Sequence, residues 1–121
     1  MSFLKPFSKY FMSSNTFGNA LGAREKRVIE DIRSKYAPEK IYVFGSHARG
    51  DVHEGSDLDL AIIKETGKRF QDRILDVLEL GDYDIPIEPL VYTSAEFEAM
   101  RKRGNPLICT ILEEGKLVYE K

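Results

Sequence analysis

The chain has 121 residues, of which 42% are hydrophobic and 31% charged, and its formal net charge is −2. This length supports one compact core rather than two ordinary domains, and no apolar run approaches the roughly 20 residues that cross a bilayer. The slightly acidic balance lacks the basic excess with which proteins hold long nucleic acids. Composition therefore predicts a single soluble domain and argues against a membrane protein and against a polynucleotide-binding one.

The first twenty residues predict an extension that precedes a domain at 21–121. They show no sustained hydrophobic period and contain the turn-forming residues Ser13, Ser14 and Asn15. Lysines, a proline and serines interrupt their apolar residues, so this segment lacks the continuous apolar centre of a secretory signal. We therefore expect a cytoplasmic protein whose extension is either flexible or docked on the domain or on a partner through its aromatic residues.

Hydrophobic spacing predicts the elements of the domain in chain order. Apolar residues recur at helical spacing over 21–36, and this helix should end before Pro38, because the residue preceding a proline disfavours the helical conformation. A β-branched and aromatic run over 41–44 predicts a buried strand that ends in a turn at Gly45. The later segments predict strands over 58–63, 85–92 and 116–119. They also predict three helices: one over 69–80, one over 96–103 that Ser94 caps, and one that begins at Asn105 and ends in a turn at Gly115.

This order of elements predicts an α/β or α+β fold in which helices flank a small mixed β-sheet. Pattern alone does not separate the two classes, and we expect the helices to cover one face of the sheet. Pro89 lies inside the third strand, where it removes a backbone donor, so this strand is expected to lie at an edge of the sheet or to be locally irregular there. Cys109 is the only cysteine, which excludes an internal disulfide.

The stretch VFGSHARGDVHEGSDLDLAI, residues 43–62, concentrates the residues that carry chemistry. Gly45 breaks the first strand, so that backbone N–H groups and the Ser46 hydroxyl can converge on an anion. Ala48 and Arg49 would then belong to a short helix whose amino end favours phosphate. This turn is a candidate phosphate-binding site.

Asp57 and Asp59 are separated by one residue at the start of the second strand. The two-residue period of a strand places both carboxylates on one face, and carboxylate oxygens on a rigid strand suit a hard cation such as Mg²⁺. A third acid on the neighbouring strand would allow two metal ions about 3.5 to 4 Å apart. Glu88 is the leading candidate for that acid, and Asp84, four residues earlier on the same strand face, is the alternative.

Each of these features has an ordinary explanation when it stands alone. Gly-Ser is a common turn, and a single Asp-x-Asp in a chain with 20 acidic residues is weak evidence. His47 could touch a phosphate at the turn, but it is expected instead to face solvent on the short helix, and His53 is expected to be a loop residue. The joint pattern is much harder to obtain by accident. In it, a ten-residue spacer separates Gly-Ser from an Asp-x-Asp that leads into a second apolar strand.

This joint pattern resembles the active-site signature of the DNA polymerase β-like nucleotidyltransferase superfamily. Within it, the chain is most similar to the minimal nucleotidyltransferase family, the small MntA-like antitoxin domains found beside HEPN-domain toxins. The resemblance covers about residues 24–121 and includes the third-acid strand ending in VYT and the terminal EGKLVYEK. It implies the polymerase β-like fold and transfer of a nucleoside monophosphate from a nucleoside triphosphate, with release of pyrophosphate.

The resemblance also implies roles for individual residues. Gly45 and Ser46 would bind the triphosphate with the help of Arg49. The Asp-x-Asp carboxylates of Asp57 and Asp59 would hold Mg²⁺, with two ions expected, and the third acid would align and deprotonate the acceptor hydroxyl. The family generally has aspartate at the third position, so Glu88, which is followed by a proline, departs from the pattern.

The leading hypothesis is an enzyme that transfers AMP from ATP to a hydroxyl of a partner protein, which the resemblance indicates is a HEPN toxin. The alternative is a non-catalytic or weakly catalytic antitoxin that neutralises a toxin by occlusion, and Glu88 is the feature that keeps it open. A polynucleotide-extending enzyme is disfavoured by the acidic charge balance. The acceptor, the nucleotide preference and the presence of a homo-oligomer stay open.

Overall fold

The computed structural model describes residues 21–53 and 55–121, so the extension expected over 1–20 lies outside the described residues. The elements within the described part follow one another as helix α1 (Ala23–Tyr36), strand β1 (Lys40–Phe44), helix α2 (Ser46–Arg49), strand β2 (Leu58–Ile63), helix α3 (Phe70–Leu78), strand β3 (Ile87–Tyr92), helix α4 (Ser94–Lys102), helix α5 (Pro106–Glu114) and strand β4 (Lys116–Glu120).

The sheet formed by the described strands has the order β3-β2-β1-β4. Strand β1 runs antiparallel to both β2 and β4, whereas β2 and β3 run parallel, so the predicted mixed sheet is confirmed. Strand β3 lies at an edge, as the proline inside it indicated. It begins at Ile87 rather than at Ile85, because Pro86 has no N–H with which to extend the hydrogen-bonded ladder.

Helix α1 ends where the sequence predicts. Its last helical residue is Tyr36, and Ala37 takes the left-handed conformation (φ 53°, ψ 55°) immediately before Pro38. At the amino end, the Glu25 carboxylate accepts a hydrogen bond of 2.9 Å from the Gly22 N–H, one of the helix-end donors that have no partner within the helix. The helix thus begins and ends on local interactions, and its buried side attaches it to the sheet.

Helices cover both faces of the sheet. One apolar cluster joins α1 and α3 to alternate residues of the strands. The helices contribute Val28, Ile29, Ile32 and Val77, and the strands contribute Ile41, Val43, Leu58, Leu60, Ile62 and Val91. The other cluster joins α4 and α5 to the strand residues between them: Ala61, Ile63, Tyr92, Phe97, Ile108 and Ile111. Successive strand residues point to opposite faces, so these two clusters lie on opposite faces of the sheet. The expectation of helices on one face is therefore wrong. The flanking of the sheet by helices is confirmed.

Arg73 of α3 links three elements through its buried guanidinium. It donates to the backbone oxygens of Lys68 and Val91, at 2.8 and 3.1 Å, and to both carboxylate oxygens of Glu96 in α4, at 2.7 and 3.1 Å. Glu96 also accepts a hydrogen bond from the Thr93 N–H, which caps α4. This polar cluster fixes α3 and α4 beside the end of β3.

The described residues include no helix that is both long and apolar enough to cross a membrane.

Candidate active site

Gly45 forms the turn between β1 and α2, and its conformation requires glycine. Its φ of +75° lies in the left-handed region, and its carbonyl accepts hydrogen bonds from the N–H groups of Ala48 and Arg49, at 3.0 and 3.1 Å. A Cβ atom at this position would overlap Oδ2 of Asp59. The Gly-Ser turn and the Asp-x-Asp pair, which are well separated in sequence, are therefore in direct contact.

The acidic residues gather at one end of the sheet. Asp59 in β2 is the register partner of Phe44 in β1 on one side and of Glu88 in β3 on the other. Asp57 directly precedes β2, and strand alternation places it on the face of Asp59, while Leu58 between them is fully buried on the opposite face. Asp57 and Asp59 are half-buried and Glu88 is exposed.

The electrostatics of Asp59 show that these carboxylates influence one another. Burial raises the pKa of Asp59, and the negative charges of Glu88 and Asp57 raise it further, while His47 and Arg49 oppose the rise. A cation bound among the three carboxylates would relieve their repulsion, and carboxylate oxygens are the ligands that Mg²⁺ prefers. The donor set therefore fits a hard divalent cation.

The three carboxylates do not lie close enough together to form a preassembled metal centre. Across residues 21–53 and 55–121, no group of three or more His, Cys, Asp or Glu side chains lies close enough together to hold a metal ion.

Arg49 lies at the carboxyl end of α2, beside the acidic end of the sheet. Its side chain is half exposed and forms ion pairs with Asp51, at 3.3 Å, and with Glu114, at 3.7 Å. Surface ion pairs of this kind are weak and exchange readily, so they leave the guanidinium able to turn toward an anion at the Gly-Ser turn.

Asp84 does not share the position of Glu88. It precedes β3, is exposed, and its backbone oxygen accepts a 3.4 Å hydrogen bond from Arg24 Nη1. Together with Arg24, His47 and Pro86 it lines a cavity of about 540 Å³ next to the loop that leads into β2. Of the two candidate third acids, Glu88 is the one in register with Asp59.

The environment of His47 differs from the one expected from the sequence. It is fully buried rather than solvent-facing, with Nδ1 3.1 Å from the backbone oxygen of Asp57 and Nε2 3.3 Å from Glu25 Oε2. A helix of four residues is too short to show a hydrophobic period, so no signal in the sequence indicated the buried side. His53 is an exposed loop residue, as expected.

Comparison with known proteins identifies what these features share with other chains. A family model described as "Polymerase beta, Nucleotidyltransferase" matches residues 26–121. The match includes the Gly-Ser turn, the Asp-x-Asp pair and the strand that carries Glu88.

Two curated relatives come from Methanocaldococcus jannaschii and are named as candidate protein adenylyltransferases. The chain is 41% identical to MJ1305 over 87 residues, which cover 67% of this chain and 58% of that protein. It is 32% identical to MJ0604 over 98 residues, which cover 78% of this chain and 93% of that protein. The chain thus spans somewhat more than half of the first relative and nearly all of the second.

A solved structure of a toxin-antitoxin with AMP-PNP has a similar fold. It aligns with a TM-score of 0.53 at 18% identity, over 79% of this chain and 73% of that chain. At this identity the likeness concerns the fold.

Proposed function

The chain belongs to the polymerase β nucleotidyltransferase family, and we propose that it transfers AMP from ATP to a hydroxyl group of a partner protein, with release of pyrophosphate. The membership confirms the family and the fold that the sequence predicted. The observation that carries the proposal is the position of Asp59, which lies against Gly45 and in register with Glu88. The names of the two relatives support a protein as the acceptor.

The residues of the site divide into a phosphate-binding and an acidic part. Gly45 and Ser46 would hold the triphosphate through the turn, and Arg49 would add a positive charge. Asp57, Asp59 and Glu88 would hold Mg²⁺, with two ions expected. When bound, Mg²⁺ supplies the positive charge that neutralises the phosphates.

The chemical step requires alignment and a proton acceptor more than covalent help from the protein. The acceptor oxygen forms a bond to the α-phosphorus, and the bond from that phosphorus to the bridging oxygen of pyrophosphate breaks. The hydroxyl proton passes to a carboxylate of the site, for which Glu88 is the proposed residue. An exposed acid at the sheet edge can reach a hydroxyl that a partner presents from outside.

The proposed partner is a toxin of the HEPN class, and the setting is that of a cytoplasmic toxin-antitoxin pair. This part rests on the resemblance of residues 43–62 and on the structural neighbour, which is a toxin-antitoxin with AMP-PNP. In this proposal residues 21–121 form the nucleotidyltransferase domain.

The test is label transfer. The protein is incubated with Mg²⁺, a HEPN-type partner and ATP labelled at the α-phosphate, and the expected result is label on the partner. A parallel reaction with ATP labelled at the γ-phosphate should leave the partner unlabelled, because pyrophosphate departs. The double variant Asp57→Asn, Asp59→Asn should transfer no label.

A second function, neutralisation by occlusion, is favoured by one feature, the exposed Glu88 followed by Pro89 where the family generally has aspartate. The same experiment separates the two functions. If the double variant still neutralises the toxin while the unmodified protein transfers no label, occlusion is the function and transfer is wrong.

A further inference from the structure

A buried polar chain connects the first turn of α1 to the peptide of Asp57. The Gly22 N–H donates to Glu25 Oε1 at 2.9 Å, Glu25 Oε2 lies 3.3 Å from His47 Nε2, and His47 Nδ1 lies 3.1 Å from the Asp57 backbone oxygen. The side chain of His47 is 0% exposed and that of Glu25 is 8% exposed. Such burial of polar groups is costly unless they are paired.

The contact between His47 and Asp57 has a defined direction. A backbone carbonyl only accepts hydrogen bonds, so Nδ1 carries the proton and donates it. Nε2 is close to the Glu25 carboxylate, but it has no hydrogen-bond partner within the described residues. The Nδ1–H bond is therefore the directional contact that sets the ring against Asp57, and Glu25 supports the ring from the other side.

The sheet holds only one end of the peptide that joins Asp57 to Leu58, because the Leu58 N–H donates to the Pro86 backbone oxygen at 2.9 Å. The register of β2 begins at Leu58, which pairs with Ile87, and the pairing of β2 with β1 reaches only to Asp59. Asp57 therefore lies between the ordered ladder and the preceding loop. The His47 hydrogen bond holds the other end of this peptide, the Asp57 carbonyl oxygen, and so limits movement of the Asp57 carboxylate away from that of Asp59.

We propose that His47, supported by Glu25, is a positioning residue that fixes the peptide of Asp57 so that its carboxylate faces a bound divalent cation together with Asp59. The inference rests on the proposed function, because that function assigns Asp57 and Asp59 as metal ligands. Partners behind metal ligands act in this way in other proteins, and their loss typically weakens metal affinity by roughly 10- to 100-fold.

Two amide substitutions at the same position test the proposal. In His47→Asn the amide nitrogen takes about the place of Nδ1, so it can still donate to the Asp57 oxygen, whereas in His47→Gln the nitrogen takes about the place of Nε2 and cannot. The measurement is the affinity for Mn²⁺ alone, from the loss of the free Mn²⁺ electron paramagnetic resonance signal on binding. We expect His47→Gln to lose about tenfold or more and His47→Asn to stay within about threefold of the unmodified protein.

A stability control comes from the same helix as Glu25. Ile32 of α1 is fully buried and lies two turns from Glu25, so Ile32→Ala should lower the melting temperature without changing Mn²⁺ affinity.

Equal Mn²⁺ affinity in His47→Gln and His47→Asn would overturn the proposal, as would a loss of affinity in Ile32→Ala as large as that in His47→Gln. Absence of Mn²⁺ binding by the unmodified protein would overturn it as well. If instead Mn²⁺ binds with the expected ranking but no AMP is transferred, the positioning role stands and the proposed reaction fails.

Discussion

Gly45 and Asp59 are in contact, although thirteen residues separate them in the sequence. The glycine of the Gly-Ser turn leaves the space that the Asp59 carboxylate occupies. A side chain at position 45 would therefore displace the Asp59 carboxylate.

Gly45→Ala should lower both stability and AMP transfer. The substitution combines an unfavourable positive φ with overlap between the new Cβ and the Asp59 carboxylate, and we expect a loss of about 3 kcal/mol in the free energy of unfolding. Displacement of Asp59 should reduce the transfer rate by about 100-fold or more. Urea unfolding and the label-transfer assay give the two values.

Gly50→Ala is the matched control. Gly50 also has a positive φ, of +85°, but a Cβ there would meet nothing within 4 Å. Gly50→Ala should lower the free energy of unfolding only by the conformational strain, about 1–2 kcal/mol, and the variant should keep its transfer activity. Equal loss of activity in both variants would mean that contact with Asp59 is not the reason for glycine at position 45.

The raised pKa of Asp59 predicts how pH acts on the metal-free protein. Burial, Glu88 and Asp57 hold this pKa above its ordinary value of 3.8, so the folded state binds the Asp59 proton more tightly than the unfolded state does. The resulting stabilisation is complete below the unfolded-state pKa and is lost as pH rises through the folded-state pKa. Divalent-cation affinity should rise over the same interval, because the cation competes with the proton.

Comparison with Asp59→Asn isolates this effect. The variant has no carboxylate to ionise, so its melting temperature should match that of the unmodified protein in acid and exceed it as pH rises above 3.8. Added Mn²⁺ should raise the melting temperature of the unmodified protein but not that of the variant. A constant difference between the two proteins across pH would contradict the assignment.

Glu88→Gln and Asp84→Asn decide which residue is the third acid. Because Glu88 is in register with Asp59 and Asp84 precedes the strand, Glu88→Gln should slow AMP transfer by about 100- to 10,000-fold, the usual contribution of a general base. Asp84→Asn should leave the rate within about threefold of the unmodified protein. The opposite ranking in label transfer would reject Glu88, and full activity of both variants would show that neither acid takes part.

Arg73→Met should destabilise the protein without acting on the site directly. Removing the guanidinium leaves the buried Val91 oxygen without this donor and the half-exposed Glu96 carboxylate with only its Thr93 hydrogen bonds, at a cost of about 1–3 kcal/mol in urea unfolding. The comparison is Arg101→Met, which breaks an exposed ion pair with Glu98 and should cost much less in the same measurement. Similar costs for the two changes would mean that the Arg73 cluster does not connect α3 to α4.

Much of the local structure could be predicted from the sequence, since local rules decide it. The proline at 38 ends α1, and the proline at 89 is found in an edge strand. The alternation of Asp57, Leu58 and Asp59 assigns the carboxylates to one face through the two-residue period of a strand, and the structure buries Leu58 on the other. These features depend on a few neighbouring residues and on backbone geometry.

Other features depend on contacts between distant segments, which only the tertiary structure decides. The sequence offered both Glu88 and Asp84, and the parallel register of β2 and β3 places Glu88 beside Asp59. It gave no indication that α1 packs against the four-residue helix α2 and buries His47 beside Glu25, or that helices cover both faces of the sheet. Register and burial are set by how whole elements pack together, so the sequence determined which residues are candidates for the chemistry, and the packing of elements determined which of them meet.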